Sequence, residues 1–262
     1  MDFCRSVDRI DGPGYLFELS IIPWDTEIFG YRVAQIDRIE LVSNVSEIQG
    51  VDALTRWLTE HEVKLASCRL PSRSLRESML LEQAGFRFVE MVYSPSLSPL
   101  PETEEQAGEI VFSPVVEDEV SEVESIAGTA FMTGRFILDH RLEAEASHRR
   151  YRKWVRNALL DSRQKIFTAK IGASMIGFFI FEEKSDGSVY WHLTAMSPDW
   201  QGKGLGMKVW AGMVALHREN GAAKIETTIS AHNTAVMNIY AGLGFRFSSP
   251  SMTFHWAPPI ER

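Results

Sequence analysis

The tetrapeptide Gly-Phe-Arg-Phe occurs twice, at Gly85–Phe88 and at Gly244–Phe247. A repeated tetrapeptide constrains little by itself; its context constrains a great deal. Ahead of the second copy, Leu205, Val209, Met213 and Leu216 recur at spacings of four, four and three, which lays one apolar stripe along a helix. The segment GAAKIETTIS then reads as a turn and a strand, and HNTAVMNIYAGLGF as a short helix stopped by glycine. The first copy follows the same order. Leu54, Trp57 and Leu58 mark a helix running to about Glu62, KLASCRLP reads as a strand, and SRSLRESMLLEQAGF as a helix ended by Gly85. Helix, strand, helix and GFRF therefore recur at an offset of 159 residues, 244 minus 85. The chain reads as two copies of one unit.

Upstream of the second copy, KIFTAKIGASMIGFFIFEE reads as a hairpin turning at Gly172, and SVYWHLTAMSP as a strand closed by Pro198. The second half is thus an α/β unit around a central sheet. Ser94–Pro114 is rich in proline, serine and acid, the composition of a linker. The division this suggests is 1–98, a linker over 99–108, and 109–262. The formal net charge of −8 argues against general nucleic-acid binding through phosphate neutralisation. Cys4 and Cys68 are too few for a disulfide framework and read as reduced thiols. The start MDFCRSVDRI lacks the apolar core of a signal peptide, and the apolar run Met175–Phe181 is too short to span a bilayer. The expectation is a cytoplasmic protein with neither a membrane nor a nucleic acid as partner; a homodimer is compatible with the sequence.

The most informative segment is Leu193–Trp210, LTAMSPDWQGKGLGMKVW. A strand ends, and Gln201, Gly202, Lys203, Gly204, Leu205 and Gly206 open a helix. Glycines let backbone approach a ligand closely, and the N–H groups at a helix start favour phosphate. A P-loop would need Ser or Thr after Lys203, where Gly204 stands. A dinucleotide fingerprint would need its third glycine where Met207 stands. A plain structural turn is the remaining alternative.

This loop, after a strand ending Ala195-Met196-Ser197-Pro198 and followed by Asn233, Tyr240 and Gly244-Phe245, resembles the GCN5-related N-acetyltransferase (GNAT) family. The resemblance implies a mixed, mostly antiparallel central sheet flanked by helices in each half. It also implies acetyl-CoA as cosubstrate, with Gln201–Gly206 around its pyrophosphate and Asn233 contacting it further along. Acetyl transfer to an amine needs a polarised thioester carbonyl, a neutral amine and a proton for the leaving thiolate. Backbone N–H groups in the region of Leu193, Thr194, Ala195 and Met196 can polarise the carbonyl. Tyr240 is the candidate acid, because a phenol near pKa 10 carries its proton at neutral pH; the alternative is a buried aromatic beside Phe245. His192 and Glu226 are candidate bases, and a water chain is a third route. No HExxH or Cys/His ligand spacing implies a metal.

At the offset of 159, Tyr240 falls on Leu81 and Asn233 on Ser74, and the glycine loop falls near Val42–Glu47, which has no glycine. The first half therefore reads as a degenerate copy. Between the linker and the hairpin, Arg149, Lys153 and Arg156 fall on one helical face, and Tyr151, Val155 and Leu159 on another. The basic face reads either as a solvated surface or as an anion site suited to a diphosphate. The wider chain resembles the tandem-domain TDP-fucosamine acetyltransferases and related nucleotide-sugar N-acetyltransferases, through Pro23-Trp24-Asp25, Phe29-Gly30, Gly85-Phe86, Arg135-Phe136 with Asp139, Tyr151, Trp154, Asn233 and Tyr240. Gly134 and His140 depart from that pattern. The resemblance implies an amino sugar on a nucleotide as acceptor, with Arg135, Phe136 and Asp139 beside it and Glu226 as a further candidate. A protein N-terminus, an amino acid or a polyamine is the alternative acceptor, and a non-catalytic acyl-CoA sensor the alternative class.

Overall fold

A computed structural model of the chain describes residues 6–42, 47–102 and 108–258. In chain order it forms β1 (Asp8–Gly12), β2 (Tyr15–Ile21), α1 (Pro23–Phe29), β3 (Val33–Leu41), α2 (Glu47–Glu60), β4 (Leu65–Pro71), α3 (Leu75–Gln83) and β5 (Arg87–Tyr93). There follow β6 (Pro95–Leu97), β7 (Ile110–Pro114), α4 (Val120–Ala130), α5 (Arg135–Leu138), α6 (Ala144–Leu160), β8 (Gln164–Ile171), β9 (Ser174–Glu183) and β10 (Ser188–Met196). The chain closes with α7 (Gly206–Glu219), β11 (Lys224–Thr227), β12 (Ile229–Ser230), α8 (Thr234–Gly242), β13 (Arg246–Phe247) and β14 (Ser251–Trp256). Cys4, Ser43–Ser46 of the expected glycine-free loop and residues 103–107 of the expected linker lie outside the described residues.

Two compact units divide the chain, and they interleave along it. One comprises Met1–Val92, Arg135–Ala146 and Ser249–Arg262; the other comprises Tyr93–Gly134 and Ser147–Ser248. The cause is an exchange of strands. In the first unit the sheet order is β1-β2-β3-β4-β14-β5, with the chain's last strand between β4 and β5. In the second it is β13-β6-β11-β10-β9-β8-β7, with β6 between β13 and β11. Adding 159 to Pro95–Leu97 gives 254–256, within β14, so each repeat's closing strand completes the other unit's sheet. The segment that reads as a linker therefore supplies two strands. Pro95 and Leu97 are buried on either side of half-buried Ser96, a period-two pattern that the proline content conceals.

Within each unit the repeat is exact in its turns. Phe86 N–H donates to the Leu81 carbonyl and Phe245 N–H to the Tyr240 carbonyl, both at 2.9 Å. Gly85 and Gly244 hold φ of +88° and +86°, the left-handed turn that ends a helix. Each glycine sits against the exchanged strand, 3.6 Å from Trp256 and 3.8 Å from Leu97 when a Cβ is placed on it. The preceding helices end alike as well. Val63 N–H bonds the Leu58 carbonyl at 2.9 Å and Ala222 N–H the His217 carbonyl at 3.0 Å. There the first half uses Glu62 at φ +49° where the second has Gly221 at +84°.

Both sheets are mixed. In each, a helix crosses over between a parallel pair, α2 between β3 and β4 and α7 between β10 and β11. The apolar stripe expected on α7 is the buried one: Val209 and Met213 are inaccessible, and Leu205 and Leu216 pack against the same core. In the first unit Leu54, Trp57 and Leu58 of α2 join Phe17, Leu80 and Phe86 in one core. Among the described residues no helix is long and apolar enough to cross a membrane.

Candidate active site

The second unit's site begins with a register slip. Strand β10 pairs with β9 over its length, with a bulge between Trp191 and Leu193 that leaves His192 extra. Side chains alternate along a strand, so Val189, Trp191, Leu193 and Ala195 would share one face without the bulge. Instead Val189 and Trp191 lie in the core under α7 and α8, while Leu193 and Ala195 lie in the core under α4 and α6. The slip turns Thr194 and Met196 towards the α7 and α8 side.

The bulge also marks where two strands part. Strand β11 pairs in parallel with β10 from Ser188↔Lys224 to Trp191↔Thr227, and pairing stops there. Thr227, 4 % exposed, closes the end by donating its hydroxyl to the Trp191 carbonyl at 3.0 Å. Beyond it β10 continues to Met196 against β9 alone. Alternate residues over Leu193–Met196 thus carry N–H groups on the side β11 has left. Gly177 permits this tight pairing; a Cβ there would stand 2.6 Å from the Ala195 carbonyl oxygen.

The strand leads into the glycine loop through a 3-10 turn at Pro198–Trp200. Gln201 folds back, its side-chain amide donating to the Met196 carbonyl at 3.1 Å. Gly202 and Gly204 hold φ of +72° and +75°, and a Cβ on either would meet nothing within 4 Å. The left-handed conformation, rather than crowding, is what requires glycine here, and it leaves an open cradle. Gly206 begins α7, where a Cβ would stand 2.7 Å from Ile239 of α8. No side chain caps this helix start and its first turn holds no acid. Its N–H groups and positive dipole end remain for an anion. Lys203 Nζ lies 4.7 Å from the centre of the Trp200 ring.

Helix α8 brings Asn233 and Tyr240. Asn233 is the N-cap, its side-chain oxygen accepting from Val236 N–H at 3.2 Å. Tyr240 is 2 % exposed and packs on Phe245, ring centres 4.7 Å apart, as the aromatic alternative expects. Burial raises its pKa, opposed by the nearby side chains of Thr194, Trp210 and Thr227. The phenol is therefore a firm proton holder placed among residues at the parting of β10 and β11.

The two candidate bases differ. His192 Nε2 lies 3.2 Å from Glu182 Oε2, and burial lowers its pKa against the raising effect of that carboxylate. It is a neutral imidazole at physiological pH. Glu226 is flanked by Lys224 at 2.6 Å and Lys184 at 3.1 Å, and hydrogen bonds from both lower its pKa. A carboxylate held that way is a weak base. Glu182 and Thr227 carry no local sequence signal; strand pairing brings each to the site from a distance.

Leu193, Ala195, Met196, Gln201–Gly206, Asn233 and Tyr240 thus belong to one unit, together with Glu226. Arg135, Phe136 and Asp139 belong to the other. Phe136 is 3 % exposed, stacked between Phe29 at 5.2 Å and His255 at 5.4 Å, and Asp139 is 5 % exposed. Phe136 is held between those two rings, and Asp139 is ion-paired with Arg141. Of the basic face on α6, Arg156 is paired with Glu124. Tyr151 stacks on Phe131 at 4.5 Å, and a Cβ on Gly134 would meet its hydroxyl, which accounts for the glycine there. Among the described residues no cluster of His, Cys, Asp and Glu could hold a metal ion.

Comparison with known proteins accords with this geometry. Residues 136–260 match the family model of the acetyltransferase (GNAT) domain. The fold is similar to a GCN5-related N-acetyltransferase from Sphaerobacter thermophilus, at 13% identity and TM-score 0.62, over 97% of this chain and 84% of that one. It is similar to a tandem GNAT protein from the clavulanic acid biosynthesis pathway, at 12% identity and TM-score 0.59, over 100% and 86%. A third similar structure is a GCN5-related glucosamine N-acetyltransferase region of a fungal multi-domain GH3 beta-N-acetylglucosaminidase, at 12% identity and TM-score 0.63, over 93% and 31%. No curated protein matches the chain in sequence.

Proposed function

We propose that this chain, whose residues 136–260 match the family model of the acetyltransferase (GNAT) domain, transfers an acetyl group from acetyl-CoA to the amine of a small molecule, and that the second repeat carries the chemistry. The observation that carries the proposal is the parting of β10 from β11 beyond Trp191↔Thr227, directly before a glycine cradle at the start of α7. The residues present fit the cosubstrate. Gly202 and Gly204 leave room at the backbone, and α7 offers uncapped N–H groups for a pyrophosphate. Acetyl-CoA supplies the activated acetyl thioester when bound.

The chain's own groups do the rest. Backbone N–H groups within Leu193–Met196 stabilise negative charge on a carbonyl oxygen, an electrostatic contribution of several kcal/mol in comparable sites, roughly 3 for one donor. Tyr240 holds a proton on Oη for a departing thiolate. His192 Nδ1 accepts a proton from the amine, while Glu182 accepts the Nε2–H and orients the ring. Glu226, ion-paired to two lysines, is set aside as the base. Asn233 contacts the cosubstrate through side-chain atoms left by its capping bond.

An amino sugar on a nucleotide is the acceptor we favour. It rests on the wider resemblance to nucleotide-sugar N-acetyltransferases, and one similar fold belongs to a glucosamine N-acetyltransferase region. We retain 1–98 and 109–262 as the two repeats, joined over 99–108, with the first a scaffold. The test is incubation with acetyl-CoA and a panel of nucleotide-linked amino sugars, free amino sugars, peptides and polyamines, read by mass spectrometry for gain of one acetyl group. Acetylation of a nucleotide-linked amino sugar is expected. Turnover confined to a peptide would overturn the acceptor, and absence of acetyl-CoA binding would overturn the function.

A further inference from the structure

We infer that the first unit holds a binding site of its own for a small organic oxyanion, a carboxylate or a phosphate monoester, built on Arg141 and Arg87. A cavity of about 360 Å³ is lined by Arg87, Phe88 and Val89 of β5 and by Leu138, Asp139, His140 and Arg141, all of the first unit. That volume admits a ligand of modest size.

Arg141 is preorganised. Its Nε and Nη2 each donate to the Asp139 carboxylate at 2.8 Å, and Nη2 also reaches the His255 carbonyl at 3.2 Å. Asp139 in turn accepts from His255 Nδ1 at 3.0 Å, and the His255 ring is fully buried on Phe136. Burial pushes Asp139 up, but the bonds from Arg141 and His255 outweigh it and keep it ionised. A guanidinium held in this way loses little freedom when it binds an anion. These bonds employ Nε and Nη2 and leave Nη1.

Anchoring alone does not explain the arrangement. The histidine is not a feature of the repeat, since at the offset of 159 its counterpart on the other exchanged strand is Ser96. Nor does the ion pair account for Arg87, which lines the same cavity, is exposed and has no ion-pair partner among the described residues. Asp139 and Arg141 cancel; Arg87 leaves the cavity net positive in a chain of net charge −8. Phe88, 49 % exposed, with Val89 and Leu138, gives the cavity an apolar wall. A flat apolar group bearing an oxyanion suits both parts. This site is independent of acetyl transfer.

The test is calorimetric titration of the full chain with phenyl phosphate and with benzoate, which share an apolar body and differ in the anion. Coenzyme A is kept saturating so that the glycine loop of the second unit does not compete. Binding of one probe is expected, weakened about tenfold or more in Arg87→Gln, as for loss of a charge-assisted hydrogen bond. Arg87→Lys should fall between. Arg87 is exposed, so the variant's melting temperature without probe should match the parent and exclude a folding defect. If neither probe binds, or if Arg87→Gln binds as tightly as the parent, the inference is wrong.

Discussion

The indole Nε1–H of Trp191 donates to Nε2 of His217 across 2.9 Å, with both side chains buried. The bond ties α7 to the residue at which β10 and β11 part. It requires a neutral imidazole, and burial supplies one by lowering the His217 pKa to about 4. Its counterpart in the first repeat is Leu58, so the link belongs to the second unit alone. His217→Leu should leave a buried indole donor unsatisfied and cost about 1–3 kcal/mol, read as a lower melting temperature.

The same group sets an acid limb of stability. A histidine whose folded pKa lies below its unfolded value of about 6.5 binds more protons when unfolded between those two values. Its contribution is complete above pH 6.5, is lost as pH falls towards 4, and changes no further below that. His255, likewise lowered to about 4 by burial, acts in the same window. Melting temperature should therefore decline from pH 6.5 to pH 4. In His217→Leu the decline should be shallower, with that of His255 remaining.

Gly204→Ala separates conformation from crowding. The φ of +75° strains a Cβ, yet nothing lies within 4 Å to clash with it. The apo protein should lose only about 1 kcal/mol. Acetyl-CoA at a hundredfold excess over its Kd should stabilise the parent by about 2.7 kcal/mol, and the reshaped cradle should remove much of that. Gly177→Ala should act oppositely. Its Cβ would press on the Ala195 carbonyl, so the loss should fall mainly on stability, about 1–3 kcal/mol before any ligand is added.

Tyr240→Phe removes one oxygen and keeps the ring on Phe245. A structural role would leave kcat unchanged. A proton-donating role predicts a fall of roughly 10²-fold in kcat and loss of the alkaline limb of the pH profile. That limb should lie above pH 10, because burial raises the phenol's pKa.

What was legible in the sequence was periodic or glycine-bound. The stripe on α7, the turns at Gly85 and Gly244, the hairpin at Gly172 and the loop from Gln201 to Gly206 all rest on local spacing or positive φ. The strand exchange was not legible, because pairing between Phe254 and Phe88 or between Pro95 and Phe247 leaves no local mark. Pro95–Leu97 looked like linker for the same reason. The bulge at His192 was hidden because Trp191 and Leu193 are both apolar in either register. Asp139 was legible as a motif residue but not as a buried ion pair, since His255, which holds its other side, comes to it from 116 residues away.

The remaining prediction concerns the pair formed by His192 and Glu182. Burial lowers the imidazole pKa below 6.5, and the carboxylate 3.2 Å away partly restores it. If His192 is the base, the acid limb of kcat/KM lies below pH 6.5 in the parent. Glu182→Gln removes the restoring charge, so the limb should move to still lower pH. His192→Gln should remove the limb and reduce kcat by roughly 10²–10⁴-fold. A limb that stays in place in Glu182→Gln while activity survives in His192→Gln would assign the proton to water instead. The two variants are expected to fold, since the side chains of His192 and Glu182 remain 21% and 27% exposed.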